Sequence, residues 1–330
     1  AVSRFLRVPP VILPGQFLLN NLLLALPIED IDHPMSEHTP PVCDYEGSDY
    51  QTRFWEEGGR AYEDAVEAIA LRRLLPSGGA FMLELGAGAG RNTTRYQNYQ
   101  RVALVDYSRT QLEQARKRLG DGSRYVYVAA DVYRLPFVAG LFDGATMIRT
   151  LHHMADPTLA LSQVHRVMAP QGAFILEFAN KRNLKSMLRY LLGKQEWSPY
   201  SLEPVEFAAL NFDFHPKAIR GYLDGLGFTV KKQLTVSHFR VDVLKRVVPL
   251  RLLVGLDALL QWTGGWVQVS PSVFVRSRAS GVDPAAEGDA LFQCPACQAI
   301  IPGEGHDLQC RGCGTTWGYK GGIYDFRLKD

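Results

Sequence analysis

Several features are scarce in this chain, and each scarcity excludes a class of protein. Charge of one sign is scarce: 36 lysines and arginines stand against 34 acids, a net charge of +2. No global field therefore draws the chain to nucleic acid or to a membrane. Long apolar runs are absent, and nothing reaches the roughly eighteen residues of an ordinary transmembrane helix. A secretion signal is not expected, because Pro9, Pro10 and Pro14 interrupt the apolar N-terminal stretch and no small-residue cleavage site is clear. Cysteine is scarce and unevenly placed. Of five, four are Cys294, Cys297, Cys310 and Cys313, and Cys43 stands alone. That distribution argues against a disulfide framework and for a metal site in a reducing, cytoplasmic setting.

What is present is enough for a main domain plus additions: 330 residues, 46% of them hydrophobic. Residues 1–49 hold an apolar, proline-punctuated segment followed by an acidic loop. The segment reads either as a cap on the main domain or as a docking element for a membrane surface or lipid substrate. Residues 51–75 have near-helical apolar spacing and end at Pro76-Ser-Gly-Gly. From Phe81 to about Leu176 short apolar strands alternate with helices, the pattern of a parallel sheet covered on both faces. The strands are expected at Phe81–Leu85, Val102–Val105, Tyr125–Ala129, Gly144–Ile148 and Ala173–Phe178. A later strand, Thr229–Val236, should pair with a final one, Ser272–Val275. Two insertions interrupt the domain, at about 181–212 and 240–269. In the second, Leu252, Leu253, Leu256, Leu259 and Leu260 form one apolar helical face in a locally basic stretch. Such a helix either lies on anionic lipid or turns its stripe to the core. Residues 279–290 read as a linker and 291–330 as a small separate module.

The chemistry centres on Phe81-Met-Leu-Glu-Leu-Gly-Ala-Gly-Ala-Gly90. An apolar strand breaks into Gly86, Gly88 and Gly90, followed by Arg91-Asn-Thr93, a candidate helix start. Glycine there lets backbone approach a ligand closely. The spacing is Gly-x-Gly-x-Gly, not the Gly-x-Gly-x-x-Gly of dinucleotide sites. Asp106 ends the next strand, where a carboxylate can accept both ribose hydroxyls. Asp131 ends the third, where it can receive an exocyclic adenine amine or simply cap a helix. With Arg149-Thr150 after the fourth strand, four loops converge on one site.

Residues 50–278 resemble the class I S-adenosylmethionine-dependent methyltransferases, of the type 11 kind. The resemblance is carried by Leu83-Glu-Leu-Gly-Ala-Gly-Ala-Gly90, Val105-Asp-Tyr-Ser108, Ala130-Asp-Val132, Leu135-Pro-Phe137, Phe142-Asp143 and Leu151-His-His-Met-Ala-Asp-Pro157. It implies a Rossmann-like, doubly wound α/β fold, mostly parallel, with a terminal antiparallel strand. It further implies that Gly86 and Gly88 approach the methionine part of the cofactor, and that Asp106 holds the ribose. Tyr107 would flank the adenine, Asp131 and the Val132 backbone would read its edge, the Arg149 backbone would lie near the cofactor amino group, and Glu84 would support the turn. His152 and His153 face the expected acceptor space. Either is a weak candidate for a general base, and equally a structural residue.

At the C-terminus, Cys294-Pro-Ala-Cys297 and Cys310-Arg-Gly-Cys313 are separated by twelve residues. Two such knuckles suit four thiolates closing tetrahedrally on a structural Zn²⁺. Disulfides or a rubredoxin-like iron centre remain alternatives. Flanking strands are expected at Leu291–Gln293, Asp307–Gln309 and Gly322–Phe326. The ending resembles the zinc ribbons of the Trm112 type, which activate partner methyltransferases, so the ribbon is also a candidate surface for a protein partner. The leading expectation is methyl transfer to a small-molecule or lipid-like acceptor, with peripheral membrane contact in view. A methyltransferase for tRNA, rRNA or a translation protein is the alternative, and a cofactor-binding scaffold a second. The balanced charge gives nucleic acid little support.

Overall fold

Apolar runs that read as buried strands in the sequence become the middle of one sheet. The computed structural model describes residues 40–43, 46–47, 59–283 and 290–328. The apolar N-terminal segment and Trp55 lie outside them. Helix α1 (Ala61–Leu74) buries Tyr62, Val66, Ala70, Leu71 and Leu74 along one side and stops at Leu75, ahead of Pro76. Then come β1 (Gly79–Leu85), β2 (Tyr99–Asp106), α2 (Arg109–Leu119), β3 (Tyr125–Ala129), β4 (Phe142–Met147), α3 (Pro157–Val167) and β5 (Met168–Ala179). The helix boundaries have local causes. The Ser108 side chain accepts from Gln111 N at the start of α2, and Gly120 closes it at φ +90°. Asp156 caps α3 with Pro157 in its first turn.

Strands β1 to β5 run parallel in the order β3-β2-β1-β4-β5. The first insertion supplies α4 (Leu184–Leu191), β6 (Val205–Ala208) and β7 (Asn211–Asp213), and α5 (Pro216–Gly225) and β8 (Phe228–Val236) follow. The second insertion supplies α6 (Asp242–Val247) and α7 (Leu250–Leu260), and β9 (Ser272–Ala279) returns between β5 and β8, antiparallel to both. The fold is therefore the Rossmann-like, mostly parallel sheet with an antiparallel strand. Glycine is required at Gly144, where a Cβ would press on Tyr99 at 2.7 and 2.8 Å from its ring carbons.

The C-terminal segment adds β10 (Phe292–Gln293), β11 (Ile300–Ile301), β12 (Leu308–Gln309), β13 (Thr316–Lys320) and β14 (Ile323–Asp325). Strand β14 pairs in parallel with β3, so the ribbon extends the main sheet to ten strands. Phe292, Trp317 and Phe326 join the same apolar core as Phe137 and Phe142.

Two local expectations give way. No α-helix follows the glycine turn; residues 93–95 make only a 3₁₀ turn before β2. The stretch is short, and its side chains are committed elsewhere. Arg91 bonds Asp64 and Glu67 of α1, and Tyr96 turns inward to Thr146 at 3.0 Å. On α7, Leu253 is buried, whereas Leu252, Leu256, Leu259 and Leu260 are exposed. Most of that stripe therefore points outward.

Candidate functional site

The strand order reverses about β1, which lies between β2 and β4. Ligands in open α/β sheets bind beyond the strand ends at such a point. A pocket opens there, lined among others by Gly86, Gly88, Asp106, Tyr107, Val132, Arg149 and His153. Seven of the residues singled out in the sequence are thus brought together.

The three glycines share a left-handed backbone, with φ of +64°, +51° and +72° at Gly86, Gly88 and Gly90. Their surroundings differ. A Cβ on Gly86 would collide with the Thr150 side chain, which is fixed by donating to Leu85 O and Ile148 O at 3.2 and 3.1 Å. A Cβ on Gly90 would meet Leu119 Cδ1 at 2.9 Å, so this glycine lets the turn pack on α2. At Gly88 the nearest atom, Gln111 Oε1, is 3.9 Å away, and the missing side chain opens onto the pocket.

Asp106 is held from both sides of its loop. Oδ2 accepts from Gly88 N at 2.8 Å and Oδ1 from Ser108 N at 2.9 Å. Glu84 lies beneath the turn rather than in the pocket. It is buried and accepts from Thr93 Oγ1 at 2.5 Å, and burial pushes its carboxyl up to about 7. Asp131 caps the next turn by accepting from Tyr133 N at 2.9 Å; its neighbours Ala130 and Val132 line the pocket. Burial raises the Asp131 carboxyl above its ordinary range.

Arg149 has a left-handed backbone, φ +56°, uncommon outside glycine. It is fixed there from two sides. Its N–H donates to buried Glu177 at 2.8 Å, and its Nε donates to buried Glu67 at 2.6 Å. His153 faces the pocket with Nδ1 3.0 Å from Leu210 O. His152 lies beside it, ring centroids 4.0 Å apart and planes tilted by 43°, outside the pocket lining. Burial lowers the pKa of both imidazoles, that of His152 well below its ordinary value. Both are therefore neutral near pH 7.

Other lining residues had no sequence signal: Val42, Cys43 and Gln111. They arrive through tertiary folding. The loop around Cys43 reaches the site because Glu46 accepts from Arg109 N and Thr110 N at 2.9 and 3.1 Å, capping α2. The ribbon reaches it too. Arg327 pairs with Asp325 at 2.8 Å, donates to Tyr107 O at 3.3 Å and lies 5.7 Å from the Tyr107 ring.

In the ribbon, the sulfurs of Cys294, Cys297, Cys310 and Cys313 lie within 4.8 Å of one another. Cys294–Cys313 and Cys297–Cys310 are 3.7 and 3.4 Å apart. A tetrahedron with about 2.3 Å zinc–sulfur bonds has edges of roughly 3.8 Å, so the donor set fits. Each knuckle ends in a left-handed residue, Gln298 at φ +62° and Gly314 at φ +77°. Cys294 N donates to Ala299 O and Cys310 N to Thr315 O, both at 2.8 Å. The two knuckles are built alike.

Comparison with known proteins agrees with this geometry. The family described as "Methyltransferase domain" matches residues 83–176. This stretch is a class I S-adenosylmethionine-dependent methyltransferase domain. An O-methyltransferase of Penicillium expansum, cnsE, is 27% identical over 159 residues, 44% of this chain and 57% of that protein. A demethylmenaquinone methyltransferase of Chlamydia trachomatis is 37% identical over 117 residues, 34% of this chain and 50% of that protein. The chain thus spans under two thirds of the length of these curated relatives, 57% and 50%. Among solved structures, an S-adenosylmethionine-dependent methyltransferase from Mesorhizobium loti has a TM-score of 0.48 at 21% identity, covering 66% of this chain and 100% of that one.

Proposed function

We propose that this protein transfers the methyl group of S-adenosylmethionine to a small, apolar, lipid-like acceptor by in-line displacement. The observation that carries the reading is the convergence of Gly88, Asp106, Val132 and Arg149 on one pocket at the strand-order reversal. Its donor set suits each part of the methyl donor. The Asp106 carboxylate suits the ribose, and Tyr107, Val132, Ala130 and Met154 make apolar walls for a flat base. The open face of Gly88 gives room for the amino-acid end. S-adenosylmethionine supplies an activated methyl on a cationic sulfur. The chain's task is then mainly to hold the reactants collinear and exclude water. A hydroxyl acceptor also needs a proton removed, and neutral His153, facing the pocket, is the residue we assign to that step. The four cysteines would hold a structural Zn²⁺ as thiolates, and cysteines gathered for a metal rather than paired in disulfides favour a reducing, cytoplasmic setting. The curated relatives' names, an O-methyltransferase and a demethylmenaquinone methyltransferase, support a small acceptor.

Calorimetry with S-adenosylmethionine tests the site. Asp106→Ala should weaken binding by at least about tenfold, the loss of charge-assisted hydrogen bonds of roughly 1.5–3 kcal/mol. Unchanged affinity would remove the assignment. Labelled methyl donor, offered lipid, RNA and protein extracts, tests the acceptor. Label should enter the lipid fraction; label confined to RNA overturns the lipid reading.

A further inference from the structure

The two insertions leave apolar surface that the described core does not use. Helix α4 buries only Ser186, while Leu184, Leu188 and Leu191 stand 57%, 50% and 80% exposed at one-turn spacing. Helix α6 buries none of its residues. Helix α7 buries Leu253 and Asp257 and turns Leu252 and Leu259 outward. Helices this short gain most of their stability from a packed apolar face, and these faces point away from the rest of the described residues.

The insertions also meet. Leu184 N donates to Val269 O at 2.9 Å, and Asn180 Nδ2 donates to Gln268 O and Ser270 O at 3.2 and 2.8 Å. The start of α4 is thereby tied to the segment that carries Trp266, which is 85% exposed. Strand β5 delivers α4 from its carboxyl end, the edge of the sheet where the pocket opens.

Charge decides among occupants. Residues 181–195 contain five lysines and arginines and no acid; residues 243–256 contain three and none. The apolar segment 1–28 carries Arg4 and Arg7 and no acid, and a second copy would set cationic helices against cationic helices. Both would bring like charges together. An anionic lipid surface offers apolar depth for the leucines and Trp266, and opposite charge for Lys185, Arg189 and Arg251. We propose that α4, α7 and the Trp266 segment form a docking face for anionic phospholipid membrane, beside the pocket mouth. This gives a lipid-like acceptor a route to the site and so deepens the acceptor reading, although docking itself needs neither cofactor nor acceptor.

The test is co-sedimentation of the full chain with phosphatidylcholine vesicles, with and without phosphatidylglycerol. Binding should require phosphatidylglycerol and fall with added salt. Leu191→Asp combined with Trp266→Asp should lower the bound fraction at least tenfold, with S-adenosylmethionine affinity and thermal midpoint unchanged. Lys185→Glu with Arg189→Glu, which leaves the apolar residues in place, should lose the phosphatidylglycerol dependence. No sedimentation with either vesicle overturns the proposal, as does undiminished binding of both variants. A concentration-dependent dimer abolished by the aspartate variant, without vesicle binding, assigns the face to a second copy and also overturns it. Failure of vesicle binding with intact cofactor affinity would leave the methyltransferase reading standing.

Discussion

The two flanks of the sheet carry additions of opposite character. Beyond β3, the ribbon contributes a strand. Its β14 is hydrogen-bonded in register with β3, and Phe326 N donates to Ala129 O at 2.8 Å. Phe292 packs between rings of both parts, 5.8 Å from Phe137 and 4.6 Å from Tyr324. Beyond β8, the second insertion contributes short helices pinned at a polar knot. Asp257 accepts from Tyr62 OH at 2.7 Å and from His238 N at 2.8 Å, and Gln261 Nε2 donates to Val66 O at 2.9 Å. A strand added to a sheet must share its backbone ladder and its core, so it becomes part of the domain. Helices held by one polar network can keep an apolar face for something else.

The largest effect should come from cutting the shared core on the ribbon flank. Phe292→Ala removes a fully buried ring and is expected to cost about 3–5 kcal/mol, read by urea unfolding. Ribbon and methyltransferase domain should unfold in one transition. Two separate transitions would show that the ribbon is an appendage and dissolve the contrast. Metal removal comes next. If the four cysteines hold zinc as thiolates, a strong chelator should leave the sulfurs, 3.4–3.7 Å apart, without the ion that gathers them and loosen β13 and β14. The thermal midpoint should fall, at roughly 2–4 °C per kcal/mol lost. An unchanged midpoint after metal analysis confirms removal would rule out a structural metal.

Much of this architecture was legible in the sequence, for identifiable reasons. The glycine turn, Asp106 and the apolar strands are fixed by backbone geometry and burial, which leave spacing signals. The expected strands at Tyr125–Ala129 and Thr229–Val236 correspond to β3 and β8 (Phe228–Val236). The ribbon's flanking strands also lie where they were expected, at Phe292–Gln293, Leu308–Gln309 and Ile323–Asp325. Its parallel pairing with β3 was not legible, because register between distant segments leaves no local pattern. The helix expected after Gly90 failed because Arg91 and Tyr96 have tertiary partners that periodicity cannot show. Val42 and Cys43 were invisible for the same reason: only the cap that Glu46 makes on α2 brings their loop to the pocket.

A smaller effect is expected at the centre of the sheet, on β1 between the two flanks. Burial pushes Glu84 up to about 7 from its ordinary 4.5. Between those values the folded protein keeps a proton that the unfolded chain has released. Stability contributed by this group is therefore present below pH 4.5 and lost as pH rises towards 7. Glu84→Gln mimics the protonated form and should flatten the decline of stability across that window in urea titrations. An unaltered pH slope would place the ionisation of Glu84 outside the folding equilibrium.

The smallest effect is expected on the insertion flank, and its smallness is the point. Leu259 is 71% exposed on α7, which buries Leu253. Leu259→Ser removes little surface from the core and should change unfolding free energy by no more than about 0.5 kcal/mol. Destabilisation by 2 kcal/mol or more, the range of roughly 2–5 kcal/mol seen for buried leucines, would mean that Leu259 packs against this chain in solution. The outward face of α7 would then be core like the ribbon flank, and the leucines that now distinguish the two flanks would instead unite them.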